Sequence, residues 1–548
     1  MKNFKVMAQL WILTGTYSLI VEDNMPIPAN LRITVSDNTK PSSAKALFIG
    51  CFKGEKPCGG AYDNIDNHAV RTMQEMVDSG EITGDYKEFT TLPLKGGNFD
   101  VAIVMGLGKK EDYSLDRFRS CAAKAARTLR KICTRSMALF TDSFGDFTLE
   151  EIASTAAEGV VMGLYKFPKI AKEDKNATKI QVEELVLIAP AEATERVKAA
   201  AERGSVIAFA TNYARDLANL PANFATPEYL VEQAQAIAAE GNLTCTIHDR
   251  EALEKIGAGG ILSVARGSVK QPFLIEIEYS CGNPDAPTVA LIGKGITFDS
   301  GGISIKPSDG MHLMKYDMHG SATVLGVMKI FGQIKPDVNI LCLVPTCENM
   351  PDADAYRPGD VIRMYDGQHV EIISTDAEGR MLLADALAIA AERKVDLMVD
   401  VATLTGAIVV ALGHIATGIF SNNAVLTREI IDAGLECDEL AWEMPMFKEF
   451  EIQLGSMVAD LKNSGGRAAG SCTAGLFLKK FVKDIPWIHM DIAGVAWMEE
   501  DSTLYNHKPY LPKKGATGVA VRTLNAFIRR IADSCGSDKS RLQEILKG

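Results

Sequence analysis

The sequence predicts an α/β protein in two parts: a smaller N-terminal α/β domain, then a larger domain built on a doubly wound, mostly parallel sheet. Three observations lead there. The chain has 548 residues, too long for a single hydrophobic core. In its second half, apolar runs of strand length alternate with helical stretches, the βαβ signature of a parallel sheet. Between the halves lies a long helical pattern rich in Ala and Glu, which opens near Pro190 and stops at Pro221. The boundaries that follow are an extension at 1–24, an N-terminal α/β domain at 25–190, a connecting helix and linker at 191–225, and the C-terminal domain at 226–548.

The extension has Lys2 and Lys5 ahead of an apolar stretch, Val6 to Leu13, which faintly resembles a signal peptide. No small-residue cleavage site follows, and Thr14, Gly15 and Thr16 interrupt the run, so a non-cleaved extension or a first strand is expected. In the N-terminal domain the runs 46–50, 100–105 and 184–189 read as strands, with helical patterns at 120–132 and 148–163 between them. In the C-terminal domain, strands are expected at 273–279, 288–293, 339–345, 396–403 and 487–492, with helices including 321–333 and 380–393. Ligands of such sheets sit at the carboxyl ends of the strands.

The 58 basic and 70 acidic residues leave a net charge of −12, which argues against nucleic acid or an anionic membrane as partner. The 11 cysteines are scattered and never form C-x-x-C, as expected of thiols in a reducing, cytoplasmic compartment. No segment has the length of a transmembrane helix.

Charge is concentrated between residues 294 and 380. Lys294, Asp299, Lys306, Asp317, Asp376, Glu378 and Arg380 lie beside apolar strands, where unpaired charge is costly. In Gly293-Lys-Gly-Ile-Thr-Phe-Asp-Ser-Gly-Gly302 the glycines allow a tight fold that points Lys294 and Asp299 into one pocket. A phosphate loop is not met, because Thr288 and Gly295 stand where that motif needs Gly and Ser or Thr. Read alone, Asp317 is as good a helix cap as a ligand. His312 and His319 lack the i, i+4 spacing of a zinc pair. In Ser374-Thr-Asp-Ala-Glu-Gly-Arg-Met381, Asp376 and Glu378 are two apart and would share a face if the segment were extended. Arg380 opens a helix whose N-terminus favours anions.

Carboxylates without His or Cys suit Mn²⁺ or Mg²⁺, and Zn²⁺ also accepts oxygen ligands. Four are too many for one ion that must keep an open position. Two ions about 3.5 to 4 Å apart would share them. A lysine joins such a set only as the neutral amine.

These residues resemble the cytosol aminopeptidase family, the leucine aminopeptidases. The likeness is carried by Gly293 to Lys306, Tyr316-Asp-Met-His-Gly320, Ser374 to Met381, Asn463-Ser-Gly-Gly-Arg467 and Asp491-Ile-Ala-Gly494, within about residues 205 to 530. The resemblance implies one ion on Asp299, Asp376 and Glu378 and another on Lys294, Asp299, Asp317 and Glu378. It makes Lys306 and Arg380 the catalytic cations, Lys306 stabilising an oxyanion and Arg380 holding a bicarbonate that serves as base. It places Met314, Thr403 and Gly406 around the first substrate side chain and the Leu404 carbonyl against the substrate backbone. It further implies removal of N-terminal Leu and similar apolar residues from peptides, Zn²⁺, Mn²⁺ or Mg²⁺ as the ions, a homo-hexamer, and intracellular peptide turnover.

Departures from the family pattern are Ser374 for Asn, Met381 for Leu, and His319 and Ser321 for smaller residues. Ser374 is expected to loosen the neighbouring ligands, and His319 to alter the pH profile. A catalytically silent structural relative and a nucleic-acid-binding regulator are the other classes; the retained ligands oppose the first and the net charge the second.

Overall fold

The computed structural model describes residues 31–57, 65, 67–95, 98–168, 170, 181–499 and 508–547. The expectation for 1–24 falls outside them. The chain divides into two units, Met1–Phe209 with Asp501–Lys513, and Ala210–Glu500 with Lys514–Gly548.

The first unit is built on strands β1 (Arg32–Ser36), β2 (Ala46–Phe52), β3 (Phe89–Pro93), β4 (Val101–Gly108), β5 (Ser136–Phe140) and β6 (Glu184–Ile188), in the order β1-β6-β5-β2-β4-β3. All neighbours are parallel except β3 with β4. Its two main helices start where the side chains say they should. Ser114 accepts from Arg117 N ahead of Leu115–Lys131, and Thr148 and Glu151 form a capping box ahead of Leu149–Gly163.

The helix Thr194–Asn219 contains the division between the units. The sequence boundaries assigned everything after 226 to the second part, yet Asp501–Lys513 groups with the first. Side chains explain this: the Tyr510 hydroxyl donates to Asp116 at 2.6 Å, and Arg127 donates to the Leu511 carbonyl at 2.9 Å.

The second unit holds β7 (Thr244–His248), β8 (Phe273–Tyr279), β9 (Thr288–Gly293), β10 (Gly295–Asp299), β11 (Asn339–Asn349), β12 (Val361–Arg363), β13 (His369–Glu371), β14 (Leu397–Ala402), β15 (Thr417–Ser421), β16 (Ala441–Glu443), β17 (Leu461–Lys462) and β18 (Trp487–Asp491). The main sheet runs β16-β15-β18-β14-β9-β11-β8-β7, with β10 added to the end of β11. Its centre, β18-β14-β9-β11, is parallel; β8 pairs antiparallel with β11 and β7, and β15 antiparallel with β18. Helices cover both faces. Ala290 and Ile292 pack in one core with Leu382, Leu383 and Ala386 of the helix Gly379–Glu392. On the other face Gly293 abuts Ser321 and Val324 of the helix His319–Phe331.

Register places the strand ends together: Gly293 pairs with Val401 and Ala402 with Asp491. The Gly-rich segment after β9 differs from the tight loop expected. It forms β10, because β11 outruns β9 and offers free backbone groups to Gly295, Ile296 and Asp299. Among the described residues no helix is long and apolar enough to cross a membrane.

Candidate metal centre

Each charged residue reaches the site from the end of a strand or the start of a helix. Lys294 leaves β9, and its N–H donates to the Val401 carbonyl at 3.1 Å. Asp299 ends β10, Lys306 follows in the next loop, and Asp317 is the next-to-last residue of the 3₁₀ helix Met311–Met318. Glu378 is the residue before the helix Gly379–Glu392, and Arg380 lies in its first turn.

Asp376 and Glu378 do not share the face of an extended segment, as their spacing had suggested. Residues 375–376 turn, and Glu378 already has helical backbone angles. The turn is held by Ser374 Oγ, which accepts from Asp376 N at 3.2 Å, and by the Thr375 hydroxyl, which donates to the Gly301 carbonyl at 2.6 Å. Turning still brings the carboxylates together: oxygens of Asp299, Asp376 and Glu378 lie within 4.8 Å of one another.

Two ammonium groups thread these carboxylates. Lys294 Nζ is 2.8 Å from Asp317 Oδ1 and 2.9 Å from Glu378 Oε1, and donates to the Thr403 carbonyl at 3.0 Å. Lys306 Nζ is 2.7 Å from Asp299 Oδ2 and 2.5 Å from Asp376 Oδ1. Burial works against charge on both lysines, yet the surrounding carboxylates hold them protonated above the ordinary lysine range. Burial and the nearby Glu378 push Asp299 up to about 6, and burial raises Asp317 and Asp376 as well. Burial also opposes charge on Glu378, but Lys294 and Lys306 overcome it and hold its carboxyl below the usual range.

Four carboxylates thus face two ammonium groups, an excess of negative charge, with Asp299, Asp317 and Glu378 buried and Asp376 exposed at the edge. Asp317 Oδ2 and Glu378 Oε2 are buried with no hydrogen-bond partner among the described residues. Orphaned hard oxygen donors beside converging carboxylates fit divalent cations.

Supporting residues come from distant segments. Asn349, at the end of β11, donates to Asp299 Oδ1 at 2.7 Å and to the Thr375 carbonyl at 2.9 Å, tying two ligand-bearing segments together. It lies beyond the strand expected at 339–345, so the sequence offered no signal for it. The Asn463 carbonyl accepts from Arg380 at 2.7 Å, while its side-chain oxygen accepts from Ile373 N. Arg380 is buried and its Nε has no partner among the described residues; burial lowers it to about 10, so it remains charged at neutral pH.

A cleft of about 860 Å³ opens beside the cluster, lined by Asp376, Arg380, Leu404, Gly406 and, further out, Val410 and Met444. Met314 and Thr403 are not part of its lining. Thr403 is instead bonded to the cluster: besides its carbonyl on Lys294, its hydroxyl donates to Asp317 Oδ1 at 2.8 Å.

The unusual residues also find places. Ser374 keeps a hydrogen bond within its turn, as above. Met381 is fully buried in the core. His319 faces away from the carboxylates, its Nε2 accepting from Gly518 N at 3.3 Å and its Nδ1 3.3 Å from the Thr323 hydroxyl. Burial lowers it to about 4, so the ring is neutral, and the altered pH profile expected of it has no basis in this geometry.

A doubly wound sheet with a carboxylate and lysine cluster at its strand ends, beside an open cleft, defines a candidate metal-binding protein of the α/β class. The comparisons narrow this class. The profile of the cytosol aminopeptidase family catalytic domain matches residues 212–525, and that of its N-terminal domain matches 48–174. The chain belongs to the cytosol aminopeptidase family, and its class of activity is that of an aminopeptidase. It is 39% identical over 502 residues to a probable cytosol aminopeptidase of Roseiflexus castenholzii, covering 91% of this chain and 99% of that one. A probable cytosol aminopeptidase of Solibacter usitatus is 40% identical over 483 residues, covering 88% and 95%. Among solved structures, a tomato leucine aminopeptidase variant matches with a TM-score of 0.79 at 30% identity, covering 91% of this chain and 96% of that one. The bottromycin maturation enzyme BotP, also solved in complex with Mn, matches at 0.77 and 32% identity, covering 89% and 100%.

Proposed function

We propose that the protein removes N-terminal residues, Leu and similar apolar ones preferred, from peptides in intracellular turnover, using two divalent ions. The observation that carries this reading is the convergence of Asp299, Asp376 and Glu378 within 4.8 Å, beside the orphaned oxygens of Asp317 and Glu378. Asp299, Asp376 and Glu378 would hold one ion, and Lys294, once it gives up the proton it carries in the metal-free cluster, would hold the other with Asp299, Asp317 and Glu378. Zn²⁺ and Mn²⁺ are the favoured ions, with Mg²⁺ possible; BotP in complex with Mn supports this. The chemistry such ions supply, when bound, is polarisation of a carbonyl and acidification of a water.

The protein's own groups do the rest. Lys306, kept protonated by Asp299 and Asp376, offers a fixed positive charge to an oxyanion, a role worth about 3 to 4 kcal/mol. Arg380 would hold a bicarbonate as the base through its unpartnered Nε; among the described residues no histidine takes part in the cluster. The Thr403–Gly406 turn aligns the peptide backbone along the cleft. The assembly is a homo-hexamer and the location cytoplasmic.

Metal analysis of the purified protein alongside hydrolysis of leucyl-p-nitroanilide tests the reading. Asp376→Ala and Glu378→Ala should abolish both metal loading and turnover, and full activity in either would reject the site.

A further inference from the structure

The Thr403–Gly406 turn, between β14 and the short helix Gly406–Leu412, touches two parts of the site. Thr403 is bonded to Lys294 and Asp317, whereas Leu404 and Gly406 line the cleft. A carboxylate on the neighbouring strand holds the turn from below. Asp491, the last residue of β18 and 1% exposed, sits opposite Ala402 in the sheet register. Its Oδ1 accepts from Leu404 N and Ala493 N, both at 3.2 Å, and its Oδ2 accepts from the Thr405 hydroxyl at 2.6 Å. The Thr405 hydroxyl in turn accepts from Ile408 N at 3.1 Å, capping the short helix.

Asp491 is neither in the carboxylate cluster nor among the residues lining the cleft. A buried carboxylate is costly unless its lone pairs are filled. Here they are filled by the turn and by the exit of its own strand.

We propose that Asp491 is a positioning residue for the aminopeptidase reaction. It fixes the Thr403–Gly406 turn so that the cluster-facing Thr403 and the cleft-facing Leu404 and Gly406 keep one alignment. This rests on the function proposed above. An Asn of the same shape leaves one acceptor oxygen and turns an NH₂ towards either the Leu404 amide or the Thr405 hydroxyl. The hydroxyl, already accepting from Ile408, then loses its strongest partner or the amide loses its own.

The test measures kcat and KM on a leucyl dipeptide, with bound metal and Tm recorded for each variant. Asp491→Asn should raise KM about 10-fold or more with metal content retained, the scale at which small misplacements are felt. Thr405→Val, which removes only the hydroxyl, should raise KM in the same sense, and Thr405→Ser should restore it. Unchanged KM in both Asp491→Asn and Thr405→Val overturns the proposal. So does a fall in kcat at constant KM that tracks lost metal or lost folded protein. If Asp491→Asn does not fold, the Thr405 pair decides alone. Failure of the wild-type protein to hydrolyse leucyl-p-nitroanilide would instead reject the aminopeptidase reading itself.

Discussion

Lys294 passes so close to Gly379 that a Cβ on the glycine would stand 2.6 Å from the lysine Nζ and 2.4 Å from its Cε. The glycine is needed for space, not for a left-handed backbone. Gly379→Ala should therefore push Lys294 out from between Asp317 and Glu378. Loss of bound metal and a fall in activity of about 100-fold or more are expected, checked by elemental analysis and leucyl-anilide hydrolysis. Wild-type metal content with wild-type rate would contradict the contact.

Asn349 fixes Asp299 without belonging to the ligand set. Asn349→Ala should lower metal affinity by about 10- to 100-fold, the usual effect of removing a hydrogen bond that orients a ligand. Titration against a competing chelator measures it, and an unchanged affinity would mean that Gly301 N, which also donates to Asp299 Oδ1 at 2.8 Å, suffices alone.

Arg380 carries a different expectation. If its guanidinium holds the anion that serves as base, added bicarbonate should raise the rate of the wild-type protein and leave Arg380→Ala unmoved. Equal stimulation of both would separate the anion from this residue.

Asp385 offers a stability test away from the cluster. It is fully buried in the helix Gly379–Glu392, accepting from Tyr365 N and Ile261 N, both at 2.9 Å. Burial pushes it up to about 7 despite those bonds. Because its folded value lies above the ordinary aspartate value of about 3.9, its contribution to stability is fully present below about pH 4 and is lost as pH rises through about 7. The Tm advantage of the wild-type protein over Asp385→Asn should therefore shrink as pH rises across that window. A constant or growing gap would refute the assignment.

The strands and helices that build the site could be read from periodicity. β9, the first part of β11, β14 and the helix Gly379–Glu392 lie where apolar runs place them. Less legible was what depends on partners far along the chain. β10 hid among glycines because its strand character comes from pairing with the overhang of β11. Asp376 and Glu378 could be named, but the turn that joins them depends on Gly301 and Asn463, 74 and 89 residues away. Asn349 acts only through groups that folding brings to it, so local pattern could not single it out; Asp491 opens a segment that carries the family likeness, but the Leu404 and Thr405 groups it holds reach it only in the fold.

The helix Thr194–Asn219 leaves the chain without a natural seam. The two units part at Phe209 and Ala210, and the catalytic family match begins at residue 212, both inside unbroken helix. Cutting there would strand four amide N–H groups at a raw helix start and leave a ten-residue remnant, Ala210–Asn219, held only by its packing and by bonds such as that from Arg215 to the Thr517 carbonyl. A shortened enzyme would have to supply a new beginning of its own, a capped turn that nature never needed to write at this position.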